Sequence, residues 1–115
     1  MPLLGFTGVT SVGPFYATIA KEIKTQTCRK PRKIPIKPGD KLYLYWKLRT
    51  KYCWKIGEAT CYSVRHITYK EFAYDGDFAK RDGFRDSAEL REWFGPVDEC
   101  GEDRYDVITW ENFKG

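Results

Sequence analysis

Histidine is almost missing from this chain: His66 is the only one among 115 residues. The four cysteines, Cys28, Cys53, Cys61 and Cys100, form no CxxC pair and follow no regular spacing. Zinc centres need close Cys pairs, normally with His nearby, so the sequence offers none. No stretch approaches the ~20 apolar residues of a membrane span. Residues 2–13 have neither the basic start nor the long apolar run of a secretory leader. A cytoplasmic location with reduced thiols is therefore expected, away from membranes. There is no Gly-rich nucleotide loop, no alternating βαβ series, no repeat and no low-complexity tract, and no cofactor is expected. Asp75, Asp77 and Asp82 match no calcium loop, so no metal site is expected either.

Acidic residues are scarce in one part of the chain. Between Lys24 and Lys55, eleven Lys or Arg stand against a single acid, Asp40. Residues 1–60 hold twelve cations and three acids, a net +9, whereas residues 61–115 hold eight and thirteen, a net −5. A charge concentrated this way suggests a polyanion partner, with RNA or a nucleotide the leading candidate. Aromatics are plentiful: eight Tyr, seven Phe and four Trp. That is more than a small core needs, so some are expected on the surface.

The length predicts one domain, residues 1–115. Residues 2–9 read as a first strand. Pro14 suits a helix start, and Phe15, Ile19 and Ile23 define one helix face. Residues 25–29 read as extended. Pro31, Pro35 and Pro38 exclude a helix before the Pro38-Gly39-Asp40 turn. Residues 41–47 form the clearest strand, with Leu42, Leu44 and Trp46 on one face and Tyr43 and Tyr45 on the other. Residues 54–67 read as one or two strands with Gly57 as a bend or bulge. A short helical turn at 69–72 and an Asp/Gly-rich loop at 75–83 follow. Asp86-Ser87 caps a helix that ends at Gly95-Pro96; a polar stretch and a closing strand at 105–110 complete the chain. Local hairpins with peripheral helices predict an α+β fold around a small mixed, mostly antiparallel β-barrel. Trp46 and Trp54 are expected in the core, and His66 as a satisfied structural histidine.

Several segments in this order resemble the ASCH domain family of the PUA-like superfamily. They are Leu3-Leu4-Gly5-Phe6, Lys24-Thr25-Gln26-Thr27-Cys28-Arg29, Pro38-Gly39-Asp40, Arg49-Thr50-Lys51, Asp82-Gly83-Phe84 and Val107-Ile108-Thr109-Trp110. The resemblance implies a PUA-like β-barrel with flanking helices, a cleft lined by the Lys24–Arg29 segment, and RNA or nucleotide binding. It also implies an enzyme, because one branch of the family hydrolyses the acetyl amide of N4-acetylcytidine with a lysine, a threonine and a glutamate. Lys24 and Thr27 fall on the lysine and threonine. Asp82, one methylene shorter than glutamate, is the nearest carboxylate before the second long helix.

The side-chain chemistry suits either activity. A threonine hydroxyl is activated by a neighbouring base, and burial or nearby cations make a lysine neutral enough to serve. Arg29 and Arg49 are the candidates for bidentate phosphate contact. Lys24, Lys30, Arg32, Lys33 and Lys51 add positive charge, and Tyr52 is a candidate platform for an unpaired base. A third reading is a protein-interaction module that uses the acidic second half, notably Asp98, Glu99, Glu102 and Asp103.

Overall fold

A computed structural model describes residues 2–115. Its centre is a five-stranded sheet in the order β1-β5-β6-β7-β4. The strands are β1 (Leu3–Phe6), β4 (Gln26–Arg29), β5 (Lys41–Trp46), β6 (Trp54–Thr68) and β7 (Arg104–Lys114). A two-residue pair, β2 (Val9–Thr10) with β3 (Gly13–Pro14), leads into helix α1 (Phe15–Ala20). Among the described residues, β1 pairs with β5 in parallel and the other pairings of the large sheet are antiparallel. The sheet curls into a half-barrel with helices at its periphery, an α+β fold of the predicted kind.

The alternation in β5 works as the pattern predicts. Leu42, Leu44 and Trp46 are buried, while Tyr43 and Tyr45 are partly exposed. β6 is one continuous strand of 15 residues. It pairs with β5 through a register shift that leaves Ile56 unpaired beside Gly57. Gly57 is needed there, because a Cβ would fall 2.4 Å from the Lys114 carbonyl oxygen.

Four sequence expectations fail. Helix α1 stops at Ala20 rather than reaching Ile23, which is exposed. The amides of Ile23 and Lys24 both return to the Thr18 carbonyl, with Glu22 in a left-handed conformation, and this turn redirects the chain toward β4. Residues 76–81, expected as loop, form helix α3 (Gly76–Arg81). Its cap is Asp75, whose carboxylate accepts from the Phe78 amide, and its buried face is Phe78 and Ala79. The polar stretch after Pro96 contains a further turn of helix, α5 (Val97–Cys100). Trp54 is 46% exposed rather than part of the core.

The predicted helical turn α2 (Tyr69–Phe72) and helix α4 (Ser87–Phe94) are present, the latter capped by Asp86. Together with α3 they close one end of the sheet through aromatic packing. Phe72 stacks on Phe78 with ring centres 4.5 Å apart, and Phe94 meets Tyr69, Phe72, Phe84 and Tyr105. This arrangement fixes the Asp82-Gly83-Phe84 turn between α3 and α4 against strand β4.

Candidate functional site along the open seam

β1 and β4 are the edge strands of the half-barrel and, among the described residues, do not pair with each other. One side chain bridges them. Arg29, on β4, donates from a terminal guanidinium nitrogen to the Gly5 carbonyl of β1 at 2.6 Å. Its Nε donates to Thr27 Oγ1 at 3.2 Å, and its guanidinium carbon stands 4.7 Å from the centre of the Phe6 ring. Burial holds the Arg29 pKa below the usual arginine value.

Two clefts flank this bridge. One, about 220 Å³, is lined by Phe6, Thr7, Gly8, Phe15, Thr27, Cys28 and Trp93 together with Gly5 and Arg29. The other, about 360 Å³, is lined by Leu3, Leu4 and Leu48 and by four cations, Arg29, Lys30, Arg32 and Arg49. Four of the seven sequence-predicted cations therefore converge, although Arg49 lies far along the chain from the others; Lys24 is buried and does not line this cleft. Lys33 and Lys51 are exposed on loops, and Tyr52 is exposed with the Lys47 and Lys51 amines 5.5 and 5.1 Å from its ring centre.

Behind the smaller cleft lies a buried ion pair. Lys24 and Asp82 are 1% and 3% exposed. The Lys24 amine donates to the Asp82 main-chain carbonyl at 2.6 Å and stands 3.7 Å from its carboxylate. It also lies 4.4 Å from the centre of the Phe15 ring, which lines the cleft. Burial lowers the pKa of Lys24, against the pull of Asp82, and raises that of Asp82, against the pull of Lys24. Each group is drawn toward its uncharged form. The Cys28 thiol points at the same carboxylate, 3.9 Å away, and burial pushes its pKa up strongly. A thiol held protonated is a poor nucleophile.

Glycines permit this packing. Gly83 has φ +95°, and a Cβ there would fall 3.1 Å from Phe15 and 3.2 Å from the Lys24 side chain. At Gly8 a Cβ would come within 2.4 Å of Phe15 and 2.6 Å of Trp93. The Asp82-Gly83-Phe84 segment thus has a physical reason: the acid meets Lys24, the glycine lets the turn approach it, and Phe84 packs on Phe15 and Trp93.

The sequence reading missed two features. Trp93, on helix α4, is 49% exposed and lines the Thr27 cleft, a role no local pattern marks. His66 is bound to Asp106, Nδ1 to Oδ1 at 2.6 Å, which no local motif signals because the two lie 40 residues apart. Among the proposed acidic contacts, Glu102 pairs with Lys70 at 2.5 Å and Asp103 with Lys30 at 3.7 Å. Among the described residues, no group of three or more His, Cys, Asp or Glu is placed to hold a metal ion. Among the described residues, no helix is long and apolar enough to cross a membrane.

No family model matches the chain, and no curated protein matches it. Solved structures do. The chain is similar to the crystal structure of an ASCH protein from Zymomonas mobilis, with a TM-score of 0.64 and 14% identity over 97% of this chain and 67% of that one. A tyrosine-to-phenylalanine variant of the Zymomonas protein gives a TM-score of 0.63 at 14% identity, over 99% of this chain and 72% of that one. The fold is of the ASCH type, as the order of the sequence segments implies.

Proposed function

We propose that the chain is an ASCH module that binds RNA or a nucleotide along the β1–β4 seam. Phosphate occupies the cleft of Arg29, Lys30, Arg32 and Arg49, and a base enters the cleft of Phe6, Phe15, Thr27 and Trp93. One observation carries this reading: a four-cation cleft and an aromatic cleft abut at Arg29 and Gly5. The aromatic cleft, at about 220 Å³, is below the ~300–1,000 Å³ of sites that take whole ligands. It suits a single ring, with the charged remainder next door. Guanidinium groups match phosphate oxygens in pairs, and aromatic faces accept any base by stacking.

Titration of labelled single-stranded RNA at several salt concentrations tests this. Four neutralised phosphates predict a log–log slope of about −3, and Arg49→Ala reduces it by about 0.7. Salt-independent affinity, or an Arg49→Ala protein indistinguishable from the parent, overturns the reading.

The buried Lys24–Asp82 pair behind the Thr27 cleft favours a second reading, an amidohydrolase of N4-acetylcytidine or a related modified nucleoside. In this reading neutral Lys24 takes the Thr27 proton and the Thr27 oxygen attacks the acetyl carbonyl. The cytosine amine leaves with the proton from Lys24, and water hydrolyses the acetyl ester. Arg29, donating to Thr27 Oγ1, leaves that hydroxyl's own proton free for removal. Incubation with N4-acetylcytidine, followed by chromatography for cytidine and acetate, is the test. Turnover that vanishes in both Thr27→Val and Lys24→Met supports it; no turnover by the parent protein, or full turnover by Thr27→Val, rejects it.

A further inference from the structure

A separate cleft of about 350 Å³ lies under the proline-rich loop at 31–35 and against strands β6 and β7. Pro31, Pro35, Ile67 and Tyr105 give it apolar walls, and Arg32 and Arg104 flank it. His66 and Asp106 also line it, and they are unlike in exposure. The Asp106 side chain is 8% exposed and that of His66 is 71% exposed. A buried carboxylate is costly unless hydrogen-bonded, and Asp106 is bonded to His66 Nδ1 at 2.6 Å. Since a carboxylate only accepts, Nδ1 carries the proton and Nε2 is left free of that contact.

A buried acid that fixes the tautomer and orientation of an exposed imidazole beside two guanidinium groups is a built anion receptor. We propose that this cleft is a second ligand site, taking a nucleoside monophosphate with its phosphate against His66, Arg32 and Arg104 and its ring between Tyr105, Ile67 and the two prolines. The volume falls within the range of small-ligand sites. Two carboxylates also line the cleft, and the Thr68 hydrogen bonds, helped by the Arg104 charge, hold the Glu71 pKa down. Asp106 is held by His66, and Glu71 accepts from the amide and hydroxyl of Thr68 at 2.6 and 2.9 Å. Arg32 lines both this cleft and the seam cleft, whereas His66, Asp106 and Arg104 line this cleft and not the seam.

Protonation gates the site. Neutral His66 presents Nε2 as an acceptor, which faces a phosphate oxygen unfavourably; imidazolium presents a donor. The charged groups that line the cleft with it are Asp106 and Arg104 on β7, Arg32 on the loop and Glu71 on α2. A bound phosphate therefore favours the imidazolium form, and by linkage it shifts His66 toward that form.

His66 is the chain's only histidine, so its ring Cε1 proton is a unique NMR probe. The midpoint should rise by about one pH unit or more with saturating adenosine 5′-monophosphate, a tenfold preference for imidazolium. Inorganic phosphate should give a smaller rise and adenosine none. His66→Ala, a change at an exposed position, should weaken adenosine 5′-monophosphate binding about tenfold, the loss of one charge-assisted hydrogen bond. A midpoint unmoved by about 10 mM nucleotide, or an equal shift with adenosine, overturns the proposal. Because the signal is local to His66, a failure of RNA to bind at the seam does not mimic either result.

Discussion

The Lys24 amine bonds the main-chain carbonyl of Asp82 at 2.6 Å and stands 3.7 Å from its carboxylate, with both residues almost wholly buried. This joins the segment entering β4 to the C-terminal end of α3. Removing one partner of a buried pair leaves the other charge unpaired, at a cost of ~3–5 kcal/mol. Lys24→Met and Asp82→Leu should each destabilise by about that much in urea unfolding. The double variant should recover ~1–3 kcal/mol of the summed loss. Additive single effects would show that the two groups do not act as a pair.

Gly83 has the second claim on this corner. Its φ of +95° disfavours any side chain, and an added Cβ would press on Phe15 and the Lys24 chain at 3.1 and 3.2 Å. Gly83→Ala should therefore cost ~1–3 kcal/mol. The neighbouring control is Gly76, where a Cβ meets nothing within 4 Å. Gly76→Ala lies in helix α3, and alanine's helix propensity makes it neutral or stabilising. Equal melting temperatures for the two variants would refute the packing role of Gly83.

The elements carried by short-range patterns were legible in the sequence. The alternation of Leu42, Leu44 and Trp46 with Tyr43 and Tyr45 marks β5, and Asp86-Ser87 marks the start of α4. The segment Lys24–Arg29 was recognisable because its residue types keep a fixed order. Helix α3 was not, since Asp75, Gly76 and Asp77 read as loop until Phe78 and Ala79 are known to be buried. The His66–Asp106 contact and the convergence of Arg49 on Arg32 depend on strand pairing and loop placement between distant segments. No local periodicity encodes either.

Glu58, on strand β6, provides a pH test. It is held by Lys41 at 2.7 Å and by Lys55, and these hydrogen bonds lower its pKa from 4.5 to about 2. A carboxylate depressed on folding contributes stability that is complete above its unfolded pKa and lost as pH falls toward the folded value. The contribution should therefore disappear between about pH 4.5 and pH 2. Melting curves of the native protein and Glu58→Gln should differ at neutral pH and converge at the acid end. Because Glu58 is at the surface, salt should shrink the difference; a gap that persists unchanged at the lowest pH would contradict the assignment.

The bridge from Arg29 to Gly5 makes a last, separable prediction. Arg29 uses two different nitrogens, one for the β1 carbonyl and one for Thr27, and lays its plane near Phe6. Lysine has one nitrogen at the end of a flexible stem and no plane to stack. Arg29→Lys should keep the charge but break one of the two contacts, costing ~1–3 kcal/mol because the abandoned acceptor is partly buried. The loss should be local. Amide exchange should accelerate along β1 and β4, the two edges that Arg29 ties, and remain slow in the central strand β6. If the seam is where RNA lies, the same variant should release RNA faster with little change in the salt slope, since the number of cations is unchanged. Exchange that accelerates equally in β6, or a seam that stays as protected as in the parent, would show that the bridge does not hold the half-barrel's edges together.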